Sequence, residues 1–219
     1  MGVIAVVLSV ATLLTPTDTL YLELVGNAGV VLSDGEVSLL VDLPYESGAF
    51  GYQEYSVGSL QPRGQVVSVI THAHTDHFDA GLWRSREPWR VMGPPSVVAG
   101  LPPDRVLRGD SVRIGSFDVV ALRTPHTPDH QSYRLRWRGR VVHATGDTED
   151  PSALEGSPDL DVLFITPWLS CAAAERGIEL PGRSIAYHLR PDGGDRLCAG
   201  VTGSHQGTRI TLSPASPAG

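Results

Sequence analysis

The sequence predicts a mixed α/β (α+β) chain: two β-sheets with short helices outside them. Three observations lead there. Short apolar, β-branched runs recur along the chain, separated by Gly, Asn and Asp turn residues. These runs follow one another directly at first and alternate with short helical segments later. With 219 residues and 41% hydrophobic content, the chain is long and apolar enough for one compact domain with a sizeable core.

Taken in order, Leu20 to Val25, Gly29 to Ser33 and Ser38 to Val41 read as an antiparallel meander, turning at Gly26-Asn27 and Asp34-Gly35. Asp42-Leu43-Pro44-Tyr45 ends it. A loop rich in Gly, Ser and Tyr runs on to Gly64, long enough to be either functional or mobile. Gln65 to Ile70 is a strand. Asp79 to Ser85 reads as a short helix, Arg90 to Met92 as a strand, and Pro94-Pro95 opens a helix through Ala99. Val112 to Ile114 and Phe117 to Leu122 form a hairpin around Gly115-Ser116. Gln131 to Trp137 and Arg140 to His143 form a second, turning at Arg138-Gly139. Leu160 to Ile165 is a buried strand, Ala172 to Arg176 a brief helix, and Ser184 to Tyr187 and Thr208 to Leu212 the last strands. No internal repeat is evident.

Composition excludes several classes. The net charge is -7, which argues against non-specific nucleic-acid binding. There is no Gly-x-Gly-x-x-Gly, no Walker-type loop and no Gly-x-Ser-x-Gly elbow, so phosphate-loop and serine-nucleophile chemistry lack support. Cys171 and Cys198 form no Cys-x-x-Cys pair, which speaks against a structural zinc site; a disulfide and two free thiols both stay open. Val3 to Leu14 is almost wholly apolar but too short for a stable membrane span. It has the length of a signal-peptide apolar region, without a basic start or an evident cleavage site. Export is favoured over the cytoplasm, with an extra strand or a disordered leader as the alternatives. The expected organisation is a leader over 1–18, a single domain over 19–212 and a disordered tail over 213–219.

The most informative stretch is Thr71-His72-Ala73-His74-Thr75-Asp76-His77-Phe78-Asp79. A helix would scatter these ligand-type side chains around its axis, and a strand would split them between two faces. A loop at the end of the strand Gln65 to Ile70 can aim them at one point. Further ligand-type residues also follow strands: His126 after Phe117 to Leu122, Asp147 after Arg140 to His143, and His188 after Ser184 to Tyr187. Imidazole and carboxylate suit zinc and similar divalent ions, and loops held by a rigid sheet are where sites are built.

With these residues in order, the chain resembles the metallo-β-lactamase-fold hydrolase superfamily, from about residue 19 to about residue 212. The matching pattern is His-x-His-x-Asp-His at His72, His74, Asp76 and His77, then His126, then Gly-Asp at Asp147, then His188. Gly26-Asn27-Ala28-Gly29 and the strand ending in Asp42 resemble the superfamily's opening meander. The resemblance implies an αββα sandwich of two mixed sheets flanked by helices, with the site along one edge. It implies two divalent metal ions, Zn2+ first, with Mn2+ or Fe2+ as other candidates. His72, His74 and His126 would hold one ion, Asp76, His77 and His188 the other, and Asp147 would bridge them. A water shared by two ions about 4 Å apart becomes hydroxide near neutral pH. Asp76 would be the catalytic residue that orients it and takes its proton; no general acid is evident.

The implied activity is hydrolysis of a small ester, lactone or phosphodiester. His74 favours hydrolysis over redox chemistry, because oxygen-reducing di-iron relatives usually carry Glu there. Asp147 points away from the antibiotic-degrading branch, which often has Cys at that position. The alternatives are an inactive metal-binding or scaffold protein of the same fold, and a nuclease or phosphodiesterase acting on nucleic acid. The partner is a small-molecule substrate; oligomeric state has no sequence signal.

Other residues carry two readings each. His205, before the last strand, rivals His188 as final ligand. His130 is a non-ligand with a substrate-facing role open to it, and His143 is a packed strand histidine. Asp79 is either a helix cap or a group that orients a ligand imidazole. Trp168 either lines the pocket or packs. Arg134, Arg136, Arg138 and Arg140, spaced two apart, read as a solvated face.

Overall fold

A computed structural model describes residues 18–155, 159–198 and 200–216. The leader expected over 1–18 therefore lies outside the described residues except for Asp18. Thirteen strands and three helices are present among the described residues. The first sheet comprises β1 (Leu20–Val25), β2 (Gly29–Ser33), β3 (Val37–Val41), β4 (Gln65–Val69), β5 (Arg90–Met92) and β13 (Arg209–Leu212). The second comprises β6 (Ser111–Ile114), β7 (Phe117–Arg123), β8 (Gln131–Trp137), β9 (Arg140–Ala144), β10 (Val162–Ile165), β11 (Ser184–Ala186) and β12 (Val201–Gly203). The helices are α1 (Ala80–Arg84), α2 (Pro95–Val98) and α3 (Pro167–Glu175).

Both sheets are mixed. The first has the order β13-β1-β2-β3-β4-β5 and the second β12-β11-β10-β9-β8-β7-β6. In the first, β1, β2 and β3 pair antiparallel, then β3, β4 and β5 pair parallel. In the second, β6 through β9 alternate and β9 through β12 run parallel. As a result β3, β4, β7, β9, β10 and β11 all end at one edge of the sandwich.

Period-two burial builds the layers. Leu39 and Val41 of β3 face inward, against Val142, Val162, Phe164, Leu135 and Trp137 of the second sheet, in one core cluster. Leu40 points the other way, into a cluster with Trp83 of α1 and Val97 of α2. Leu163 and Ile165 of β10 likewise face outward, onto Leu169 and Ala173 of α3. Helices thus cover both outer faces, giving the αββα sandwich. Trp83 is fully buried, with the Arg105 guanidinium 3.9 Å above its ring.

Three departures from the expected elements have local causes. Helix α3 begins at Pro167 rather than Ala172: Thr166 caps it, its hydroxyl accepting from the Leu169 N–H at 3.4 Å, and Pro occupies the first turn. Strand β12 was not expected, because a Gly-flanked triplet becomes a strand only beside β11. Two single-turn 3-10 segments, Ala49–Gly51 and Val57–Ser59, interrupt the segment read as loop, and a third, Pro151–Leu154, lies between β9 and β10. Beyond β13, the Ser213 carbonyl accepts from Arg140 Nε at 2.7 Å and the Ala215 N–H donates to the Arg138 carbonyl at 3.0 Å. The cysteines form a disulfide between α3 and the segment before β12.

Candidate metal centre

The loop after β4 is shaped by its own backbone. The N–H groups of His77 and Phe78 both donate to the His74 carbonyl, closing a tight turn. Phe78 anchors that turn in the outer cluster of the first sheet. The Asp79 N–H donates to the Pro44 carbonyl and Glu46 donates to Thr75, so the β3 exit pins the loop from outside. The turn carries His72, His74, Asp76 and His77 to the sandwich edge, where the loops after β7, β9 and β11 deliver His126, Asp147 and His188.

The seven residues converge in two groups, His72/His74/His126 and Asp76/His77/Asp147/His188; within each, ligand atoms lie within 4.8 Å of one another. Asp147 stands between the groups. Its Oδ2 lies 4.0 Å from the Nε2 atoms of His72 and His126, and 3.3 Å from those of His77 and His188. The second group is buried throughout, whereas His74 and His126 are exposed, so the cluster opens to solvent on the His74/His126 side.

A supporting layer orients the ligand rings. Asp42 leaves β3 in a left-handed conformation, φ 47°, and is fully buried. His77 Nδ1 lies 2.9 Å from its Oδ2, which turns Nε2 toward the centre. The Thr71 N–H donates to Asp42 Oδ1 at 2.7 Å, and the Thr71 hydroxyl lies 3.0 Å from His72 Nδ1. The His188 N–H donates to the Asn27 carbonyl at 2.8 Å, holding it at φ 60°. Its Nε2 lies 3.0 Å from Asp76 Oδ2, which also accepts from Asn27 Nδ2 at 3.4 Å. Tyr52 and Trp168 pack edge-on against the His188 ring at 4.3 and 5.0 Å, and Trp168 Nε1 donates to the Asp147 carbonyl at 3.3 Å. Gly26 serves this layer: at φ 62° a side chain there would strike the Tyr45 hydroxyl, which accepts from the Asn27 N–H.

The electrostatics follow from crowding buried imidazoles and carboxylates. Burial penalises charge on His77, yet Asp147 and Asp42 outweigh it and hold its proton well above the ordinary range. Burial also opposes ionisation of Asp147, but His77 and His188 keep its carboxyl well below the usual range. Asp76 is lowered in the same way, burial being outweighed by His188 and His77. Burial pushes His72 down, with His77 adding to it, and burial lowers His126.

The donor chemistry fits divalent cations. Five imidazoles and two carboxylates are the nitrogen and oxygen donors that zinc and its neighbours take. His77 Nε2 and Asp147 Oδ1 are buried inside the cluster without a hydrogen-bond partner among the described residues. A buried polar atom in that condition costs free energy unless something coordinates it.

Residues with two readings are now placed. His188 joins the cluster, while His205 sits exposed in the turn before β13. His130 is fully buried, and both ring nitrogens meet protein groups. Asp79 is a cap, accepting from the Leu82 N–H at 2.8 Å. His143 is packed in β9, fully buried. The arginines of β8 face away from the core that Tyr133, Leu135 and Trp137 enter: Arg134 is half-buried and Arg136 exposed, while Arg138 lies exposed in the turn and Arg140 pairs with Asp161 at 2.7 Å. Asp42, Thr71, Asn27 and Tyr52 were not expected at the site. The signal for Asp42 was a carboxylate ending an apolar strand; the others carry no local mark.

No protein-family profile matches the chain, and no curated protein matches it. Solved structures do. Igni18, a metallo hydrolase from Ignicoccus hospitalis, matches with a TM-score of 0.67 at 14% identity, over 89% of this chain and 99% of its own. YhfI from Bacillus subtilis, a metallo-β-lactamase fold protein, matches at 0.66 and 14%, over 89% and 100%. CmlA, a diiron β-hydroxylase from Streptomyces venezuelae, matches at 0.58 and 21%, over 91% of this chain and 55% of its own. The chain has the metallo-β-lactamase fold.

Proposed function

We propose that this metallo-β-lactamase-fold protein is a dinuclear metal-dependent hydrolase of small esters, lactones or phosphodiesters. One observation carries the reading: the Asp147 carboxylate oxygen stands between two ligand groups that together gather five imidazoles and two carboxylates at one sheet edge. His72, His74 and His126 would hold one divalent cation, and Asp76, His77 and His188 the second, with Asp147 shared. When bound, such a pair polarises the scissile group and acidifies water near neutral pH.

The chain's own residues supply the rest. Asp76, kept ionised beside His188 and His77, orients the attacking water and takes its proton. Asp42 and Thr71 hold the His77 and His72 rings, so the donors need little rearrangement. Substrate enters on the exposed His74/His126 side. An open surface recess lies there beside His126, bounded by Pro125, Glu149, Asp150, Pro151 and Arg176. His74, in place of a carboxylate, supports hydrolysis and zinc over the oxidative chemistry that the name of CmlA describes. The disulfide accords with the exported setting expected from the apolar run, because such bonds persist in oxidising compartments.

Metal analysis of purified, metal-replete protein, with a panel of lactones, phosphodiesters and thioesters, tests the reading. Two ions per chain are expected. Asp76→Ala should lower kcat about 10²- to 10⁴-fold, the usual contribution of a positioned acid-base group, and His72→Ala should remove one ion, both with the fold intact. Fewer than one ion per chain, or full turnover in both variants, would sink it.

A further inference from the structure

His130 lies at the centre but outside both ligand groups. It is fully buried at the end of the loop between β7 and β8. The Asp147 backbone N–H points at its Nε2, 3.1 Å away. A backbone N–H can only donate, so Nε2 must present its lone pair. The ring proton then sits on Nδ1, 2.8 Å from the Thr124 hydroxyl, to which it donates. Both nitrogens are committed, which leaves none for a cation. The ring also packs 5.1 Å from that of His72 and 5.4 Å from that of His126.

The two hydrogen bonds join Thr124, at the end of β7, to Asp147, in the loop after β9. These segments deliver His126 and the shared carboxylate, on strands separated by β8. Their spacing is therefore set through His130 as well as through the sheet. The conformation of Gly146 agrees. It sits at φ 60°, and a Cβ there would strike His130 Nε2 and Thr71, so the ring's close approach requires glycine before Asp147.

We propose that His130 is a positioning residue: as the Nδ1–H tautomer it accepts the Asp147 peptide N–H and aims that carboxylate between the two ligand groups. This rests on the dinuclear reading above. It predicts that the acceptor matters and the imidazole as such does not. Glutamine can place an amide oxygen near the position of Nε2; leucine fills the space and accepts nothing, stranding a buried N–H.

The test combines imidazole ¹H–¹⁵N correlation spectra of the wild-type protein with zinc affinity by equilibrium dialysis of wild type, His130→Gln and His130→Leu. The spectra should show His130 protonated on Nδ1. His130→Gln should bind two zinc ions within a few-fold of wild-type affinity, and His130→Leu should lose about 10- to 100-fold, the usual cost of losing a group that supports a ligand. A proton on Nε2, or wild-type affinity in His130→Leu, would overturn the assignment. If His130→Leu does not fold, the wild-type tautomer and the glutamine variant decide it. Fewer than one zinc per wild-type chain would instead sink the dinuclear reading itself.

Discussion

His143 makes the stability of the fold depend on pH from a position outside the metal centre. Its side chain lies in β9, opposite Arg134 and beside Leu163, with neither ring nitrogen hydrogen-bonded among the described residues. Burial, with Arg134 adding to it, pushes the imidazole down to about 3. The unfolded chain takes a proton near pH 6.5, while the folded chain refuses it until about pH 3. Its contribution is therefore complete above 6.5 and is lost as the pH falls through that window, with a slope of about 1.4 kcal/mol per pH unit. His143→Gln cannot titrate. Denaturant unfolding of both proteins between pH 4 and 7 should show the wild type losing stability relative to the variant by that slope. Parallel curves would refute it; the His/Asp cluster is common to both proteins and cancels in the difference.

Among elements, α3 and the segment before β12 flank His188 and are tied by Cys171–Cys198, 27 residues apart. Trp168 at the start of α3 packs on the His188 ring, so the bond restrains part of the site's wall. Closing a loop of that length stabilises by about 3.5 kcal/mol through the unfolded chain. Denatured protein should show no reactive thiol before reduction and two after it. Cys171→Ser with Cys198→Ser should lower the unfolding free energy by about 3.5 kcal/mol, read from denaturant midpoints; reactive thiols in the unreduced protein would contradict the pairing. Most elements were legible because local signals agreed with the fold: Leu20–Val25, Gly29–Ser33, Arg90–Met92 and Gln131–Trp137 begin and end at their turn residues. The elements that escaped are those made by context. Strand β12 needs β11 beside it, and the first half of α3 hides behind Pro167 and Trp168, which read as a strand end.

Across the whole molecule, the sheets are locked at the edge opposite the metal centre. Asp34, in the turn between β2 and β3, is buried and accepts from Trp137 Nε1 of the second sheet at 3.0 Å. It also accepts from the Val37 N–H at 3.0 Å, the Glu36 N–H at 3.1 Å and the Ser116 hydroxyl. Burial opposes its charge, but the hydrogen bonds from Ser116, Val37, Trp137 and Glu36 prevail and hold its carboxyl below the ordinary range. Its stabilisation is present above the unfolded carboxyl pKa and lost as the pH falls through the lower folded value. Asp34→Ala strands the Trp137 N–H and should cost about 3 kcal/mol, measured by denaturant unfolding, with metal content unchanged. Altered metal content with unchanged stability would show that this lock does not act as described.

The sequence by itself determined the strand-loop grammar and the residues that converge. His-x-His-x-Asp-His cannot face one point from a helix or a strand, and His126, Asp147 and His188 each follow an apolar strand, so the order of ligand types was readable along the chain. Tertiary structure decided what chain distance conceals. It brought His188, at the end of β11, into the cluster and left His205 exposed beyond β12, the outermost strand of the second sheet. It made His130 a buried hydrogen-bond partner of Asp147, and it recruited Asp42 and Asn27 from the opening meander. A ligand is marked by its own chemistry and local spacing. The group that aims a ligand is marked only by where the sheets bring it, and in this chain Asp42 supports His77 from 35 residues away.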